Sequence, residues 1–231
     1  MKHYRAAVDF MATIEEVIQR AEDALRTARH GYADLIGSHK ARRYTGLRNL
    51  IVFGRSVTFV LQNLRSVVGQ KEFDSWYEVK QNDLKNDTVM RYFVTLRNDL
   101  EKQGRLPVAT SARIHHFSTD MIDKYPKPRG ATSFFIGDQL GGSGWEVEFA
   151  DGSIQKFYVE IPASVAEVTQ HFHELPVPED DALMKKSIDE LSDYFLTKLE
   201  VILDDAREVF LKRKTEMAAG KRWPTYLRVI K

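Results

Sequence analysis

Apolar residues recur at helical spacing through roughly the first hundred positions of the chain. Val8, Met11, Ile14, Val17, Ile18, Ala21 and Leu25 predict a helix over 3–29, with Glu15, Glu22, Asp23 and Arg26 on the opposite face and Gly31 as its stop. A second helix is expected over 40–68. Its apolar positions, from Leu47, Leu50, Ile51 and Phe53 through Phe59, Val60, Leu64, Val67 and Val68, cover more than one stripe, which suits a central helix packed on two sides and ended by Gly69. The stretch 71–86 reads as a third helix with Phe73, Trp76, Tyr77 and Leu84 inward. Asn86 or Asp87 is placed to cap a fourth, whose stripe is Val89, Met90, Phe93, Leu96 and Leu100 and whose stop is Gly104. Four helices in a row are the pattern of an antiparallel bundle.

At Pro107 the period changes. From there to about 162, glycines and prolines punctuate short β-prone runs at 132–136, 144–149 and 153–161, and Asp151-Gly152 between the last two is a hairpin signal. Alternation along Trp145-Glu146-Val147-Glu148-Phe149 suits a strand with one wet face. Three short strands cannot stand alone, so they should rest on the helices. After Pro178 a last long helix is expected over 179–217, with Leu183, Ile188, Leu191, Tyr194, Phe195, Leu199, Ile202, Leu203, Val209 and Phe210 on its buried side. The fold class expected is α+β, mainly α. It is one domain, with 1–104 and 179–217 as the helical bundle, 107–162 as a small antiparallel β insertion between the fourth and last long helices, and 218–231 as a C-terminal arm.

Composition narrows the chemistry. The chain has no cysteine, which removes disulfides, thiolate nucleophiles and cysteine-based metal centres. Asp9, Glu15 and Glu16 interrupt the place where a signal peptide needs an apolar run, and no stretch approaches the ~18 apolar residues of a membrane span. A cytoplasmic protein with no membrane partner is therefore expected. The net charge of +1 divides into +7 over residues 1–130 and −6 over 131–231. Such asymmetry suits either a basic surface for an acidic partner such as RNA, or complementary packing within one fold or between protomers, and the second is the more ordinary.

The most suggestive motif lies on the fourth expected helix, Tyr92-Phe93-Val94-Thr95-Leu96-Arg97-Asn98-Asp99-Leu100-Glu101-Lys102. An Arg-Asn pair late in a bundle helix, after an aromatic stripe, resembles the HEPN superfamily. The resemblance covers about residues 40–104. It implies a small, dimeric helical bundle acting on RNA in stress or phage-defence systems, many members being metal-independent ribonucleases. In that family the arginine grips the scissile phosphate and a histidine a few residues on moves protons. Arg97 and Asn98 match, whereas Lys102 stands where the shortest family spacing places the histidine, and the next histidine, His115, lies beyond Gly104 and Pro107. Lysine, with an ordinary pKa near ~10.4, holds phosphate but is a poor general base. The resemblance thus implies an RNA-associated homodimer that is catalytically degenerate, at most a metal-independent ribonuclease, with Arg97, Asn98 and Lys102 lining a phosphate-binding groove.

Lys40, Arg42, Arg43, Arg48, Arg55 and Arg65 cluster on or before the second helix with Tyr44 nearby, a stripe suited to a nucleic-acid backbone or to an ordinary solvated face. His115-His116 and the alternating His171 and His173 are the only clustered nitrogen ligands. They lack the spacing of a known zinc motif, so neither a metal nor a cofactor is assigned. The run from Gly137 to Gly144 lacks the Lys-Ser/Thr pair and following helix of a phosphate loop and reads as a turn entering a hairpin. The rival functional reading is a non-catalytic interaction or scaffold module that meets a partner protein through the β insertion.

Overall fold

Helix α1 (Ile14–Ile36) starts where Thr13 and Glu16 form a capping box, each side chain taking the other's backbone N–H. These details come from a computed structural model that describes residues 12–116 and 118–212. Val8, Met11, the expected end of the last helix at 213–217 and the arm at 218–231 lie outside the described residues. Gly31 does not stop α1. A Cβ on it would sit 2.6 Å from the carbonyl oxygen of Gly46 and 2.7 Å from the backbone nitrogen of Leu50, so it marks the point where α1 and α2 (Arg43–Leu61) cross with their backbones nearly touching. Because both neighbours are backbone atoms, Gly31→Ala is expected to lower stability by about 1–2 kcal/mol in urea unfolding, even after the better helix propensity of alanine is counted. A stability equal to or above that of the wild type would show that the crossing has slack.

The expected second helix is three pieces: a 3-10 turn at Lys40–Arg42, α2, and the short α3 (Leu64–Val68). The break falls where the Gln62 side-chain amide donates to the Thr58 carbonyl and the chain tightens, Asn63 N–H bonding Val60 and Arg65 N–H bonding Gln62. Helix α4 (Gln70–Asn86) follows, then α5 (Thr88–Gln103). Asp87 caps α5 by accepting from Met90 N–H at 3.1 Å, and Gly104 ends it in the left-handed region at φ 67°. The last helix, α7 (Ile188–Ala206), begins nine residues later than expected, at the capping box of Ser187 and Glu190, and runs into π-type turns over Arg207–Lys212. It packs on α1, α2 and α5 and closes the bundle.

The β segment is larger than expected. Strand β1 (Val108–Ile114) pairs antiparallel with β5 (Ala166–Phe172), Val108 opposite Phe172, in a ribbon absent from the expected three-stranded scheme. Between them lie the single turn α6 (Thr119–Ile122) and the sheet of β2 (Ala131–Ile136), β3 (Ser143–Glu148) and β4 (Ile154–Val159), in order β2-β3-β4. The Asp151-Gly152 turn joins β3 to β4, with Gly152 at φ 82°. The ribbon docks on the helices through Phe172, which is fully buried and meets Tyr92 and Phe93 edge-on at 5.3 and 5.9 Å between ring centres. Phe93 in turn stacks on Phe195 at 4.2 Å.

The molecule is α+β, mainly α. Part of its charge asymmetry is met by internal complementarity. Arg29 pairs with Asp193 and Glu200, Arg43 with Asp189, Lys80 with Asp205 and Arg105 with Glu174, each a basic residue of the front half meeting an acidic residue of the back half. Among the described residues, no helix is long and apolar enough to cross a membrane.

Candidate nucleic-acid interface

The basic residues singled out on and before α2 do not form one stripe. Arg43 is buried, joining four parts of the fold. Its guanidinium donates to the Leu35 carbonyl at the end of α1, to Oε1 of Gln170 on β5 and to Asp189 in the first turn of α7. Arg42 is held by Asp34 at 3.0 Å, and Arg48 donates to the Gly104 carbonyl at 3.0 Å, satisfying the end of α5. Lys40 is half-buried beside the β2–β3 loop, and burial, with the charge of Arg43, lowers its pKa. Arg65 pairs with Asp74. Arg55, like Lys40 and Arg48, has no carboxylate partner among the described residues; it donates to Thr58 Oγ1.

Arg55 is also where the second helix meets the motif of α5. Its guanidinium carbon lies 4.1 Å above the ring of Phe59, one turn on, and that of Arg97 lies 5.8 Å from the same ring. Phe59, expected in the core, is 46% exposed. Two cations therefore lie near one solvent-facing aromatic ring, an arrangement that offers ring surface for stacking and two donors for phosphate. Burial, offset in part by Tyr77 and reinforced by the charge of Arg97, draws the Arg55 guanidinium below its ordinary value, though arginine stays charged throughout the neutral range. Arg97 also forms an i,i+4 ion pair with the exposed Glu101 at 2.8 Å and donates to Asn98 at 3.4 Å. Lys102 is exposed on the following turn and pairs with no carboxylate among the described residues. On α5, Arg91 is exposed, and among the described residues its guanidinium donates only to the Thr88 hydroxyl, at 3.4 Å.

The other candidate chemistry sits apart from this face. His115 lies 3.7 Å from Glu167, His173 3.8 Å from Glu174, and Nδ1 of His171 is 3.1 Å from the Lys186 carbonyl. No group of three or more metal-ligating side chains occurs among the described residues. The glycine-rich loop after β2 is an anchored turn. Burial alone would raise the Asp138 carboxyl, but hydrogen bonds from Gly142 N–H, the Tyr158 hydroxyl, Lys156 and Leu140 N–H hold it below the usual carboxylate value.

What fold and site define is a helical bundle with a docked β segment and a cationic face on α2 and α5, centred on Arg55, Phe59 and Arg97. Residues 40–139, under half of the chain, match the family model described as Bacteriophage lambda protein ea47. The matched stretch runs from the turn before α2 to the loop after β2 and contains this face. No curated protein and no solved structure matches the chain. Sequence reasoning found Arg55 and Arg97 but placed Phe59 inside. The signal that could have placed it was the Arg55–Phe59 spacing of one helical turn, which sets a cation over a ring when that face is wet.

Proposed function

We propose that the protein is a HEPN-like, RNA-associated factor of a stress or phage-defence type system, catalytically degenerate, that holds single-stranded RNA on the face formed by α2 and α5. The observation that carries this reading is the exposed Phe59 ring with the Arg55 and Arg97 guanidiniums beside it. A base stacks on such a ring whatever its sequence, while the two cations and Lys102 neutralise adjoining phosphates. Degeneracy is supported by the neighbours of Arg97: Glu101, Asn98 and the ring of Phe59, with every described histidine engaged on other elements or outside α5. The protein is expected to act in the cytoplasm as a homodimer.

Fluorescence polarisation with a labelled single-stranded RNA tests this. The variant Arg55→Gln/Arg97→Gln is expected to bind at least ~10-fold more weakly and to flatten the log-affinity against log-salt slope by roughly 0.7 for each phosphate it no longer neutralises. Phe59→Ala is expected to weaken binding by ~1–3 kcal/mol without changing that slope. No cleavage is expected in EDTA. Unchanged affinity in both variants would overturn the reading and turn attention to the β segment. There the edge strand β4 exposes Ile154 (61%) and Phe157 (37%), which favours the second reading, a surface for a partner protein.

A further inference from the structure

A cavity of about 290 Å³, which shares Arg55 with the α2–α5 face, lies among α2, α4, α5 and α7. It arises from single faces of four helices. Arg55, Thr58 and Gln62 come from α2 at i, i+3 and i+7; Tyr77, Gln81, Leu84 and Lys85 from α4 at i, i+4, i+7 and i+8. Met90, Arg91 and Val94 from α5 and Phe195 and Leu199 from α7 complete it.

The lining is divided by chemistry. Leu84, Met90, Val94, Phe195 and Leu199 make an apolar body, and Met90, Phe195 and Leu199 among them are buried. Three cations, Arg55, Lys85 and Arg91, also line the cavity, and no carboxylate among the described residues does. Among the described residues the Lys85 ammonium donates only to the Gln81 amide oxygen, at 2.8 Å, and neither arginine has a carboxylate partner. What sets these three apart is their place, gathered on the lining of one apolar pocket with no counter-charge among the described residues that line it. Tyr77 adds a donor: its hydroxyl accepts from Gln62 at 3.3 Å and its own proton has no acceptor among the described residues. Burial raises its pKa, so that proton is retained at neutral pH.

We propose that this cavity is a binding site for a small amphipathic anion, an aromatic or branched apolar body bearing one carboxylate or phosphate group. The apolar body fills the space between Val94, Leu84 and Leu199, and the anionic group meets Arg91, Lys85 and the Arg55 guanidinium. The volume is at the lower end of the ~300–1,000 Å³ typical of small-ligand pockets, which selects a fragment-sized ligand and excludes a polymer strand. Ionised hydrogen bonds to two guanidiniums supply the preference for an anion over a neutral body of the same shape. The proposal does not depend on RNA binding, because Arg55 is shared with the α2–α5 face but Arg97, Phe59 and Lys102 do not line the cavity.

Isothermal titration of the full chain with 1-naphthoate, 1-naphthyl phosphate and neutral 1-naphthylmethanol tests it. One-to-one binding of at least one anion is expected, at least ~10-fold tighter than the neutral compound. Which anion binds more tightly decides between a carboxylate and a phosphate ligand. Arg91→Gln, an exposed substitution that leaves packing intact, is expected to weaken the anion at least ~10-fold, since a charged hydrogen bond is lost. Val94→Trp, which fills the cavity, is expected to abolish binding, while Arg97→Gln, outside the lining, is expected to weaken it less than Arg91→Gln does. Neutral and anionic probes binding equally, no saturable binding, or full binding by Arg91→Gln would each overturn the proposal. An effect of Arg97→Gln equal to that of Arg91→Gln would also overturn it, assigning the probe to the surface face instead.

Discussion

Replacing Arg43 by methionine is expected to lower stability by about 3 kcal/mol at neutral pH, and by less in acid. The side chain is 8% exposed and its partner Asp189 is 36% exposed, so the loss falls at the lower end of the range for broken buried pairs. Removing the guanidinium leaves the Leu35 carbonyl, the Gln170 amide oxygen and the Asp189 carboxylate without their donor. The pH dependence follows from Asp189. Its carboxyl already sits above the ordinary value because burial outweighs the lowering by Arg43 and Lys40. Without Arg43 the largest lowering influence goes and the pKa rises further. A carboxyl whose folded pKa exceeds its unfolded one stabilises the fold below the unfolded value, near ~3.9, and that contribution is lost as pH rises through the folded value. The deficit of the variant should therefore be smallest near pH ~4 and grow toward pH ~7, read by urea unfolding across that range. Arg43→Met/Asp189→Asn should recover part of the loss at pH ~7. A deficit flat with pH and equal in single and double variants would mean that Arg43 acts through Leu35 and Gln170 alone.

Arg43 also shows what a sequence conceals. In the chain it is one basic residue among Lys40, Arg42 and Arg48, and nothing local distinguishes it. What sets it apart is that Gln170 and Asp189, more than a hundred residues away, converge on it. Local signals were legible: the α4 and α5 boundaries, the Asp87 cap, the Gly104 stop and the Asp151-Gly152 hairpin each rest on residues within one or two turns. Gly31 and Phe59 were misplaced because the residues that decide them, Gly46 on another helix and the open solvent above α2, are not local. The β1–β5 ribbon was missed for the same reason. Its strands are joined by no tight turn, Ala109 to Arg113 carry little apolar alternation, and their pairing spans some fifty residues. The start of α7 was the recoverable error, since Ser187-x-x-Glu190 is a capping box readable in the chain. The cation-lined cavity lay beyond reach because it needs the relative rotation of four helices, although each contributing face has ordinary helical spacing.

The largest loss is expected at the joint between the bundle and the β segment. Phe172→Ala should cost about 4 kcal/mol, within the 3–5 typical of a buried phenylalanine. The ring is fully buried between Tyr92 and Phe93, and Phe93 is itself stacked on Phe195, so the neighbours cannot close over the vacancy without breaking that stack. A two-stranded ribbon is only marginally stable alone, and the three-stranded sheet leans on it: Gly137 of the β2–β3 loop sits against Ala112 and Val168, and Tyr44 and Gln170 both donate to the Gln139 carbonyl. Undocking Phe172 should therefore loosen the sheet before the helices. Trp145 in the sheet and Trp76 on α4 allow the two to be followed separately in variants retaining one tryptophan. Coincident urea transitions are expected for the native chain, with the Trp145 transition moving to lower urea than that of Trp76 in Phe172→Ala. Transitions that shift together would make bundle and β segment one cooperative unit, while a total loss under ~1 kcal/mol would mean that Phe172 covers the bundle without anchoring the ribbon to it.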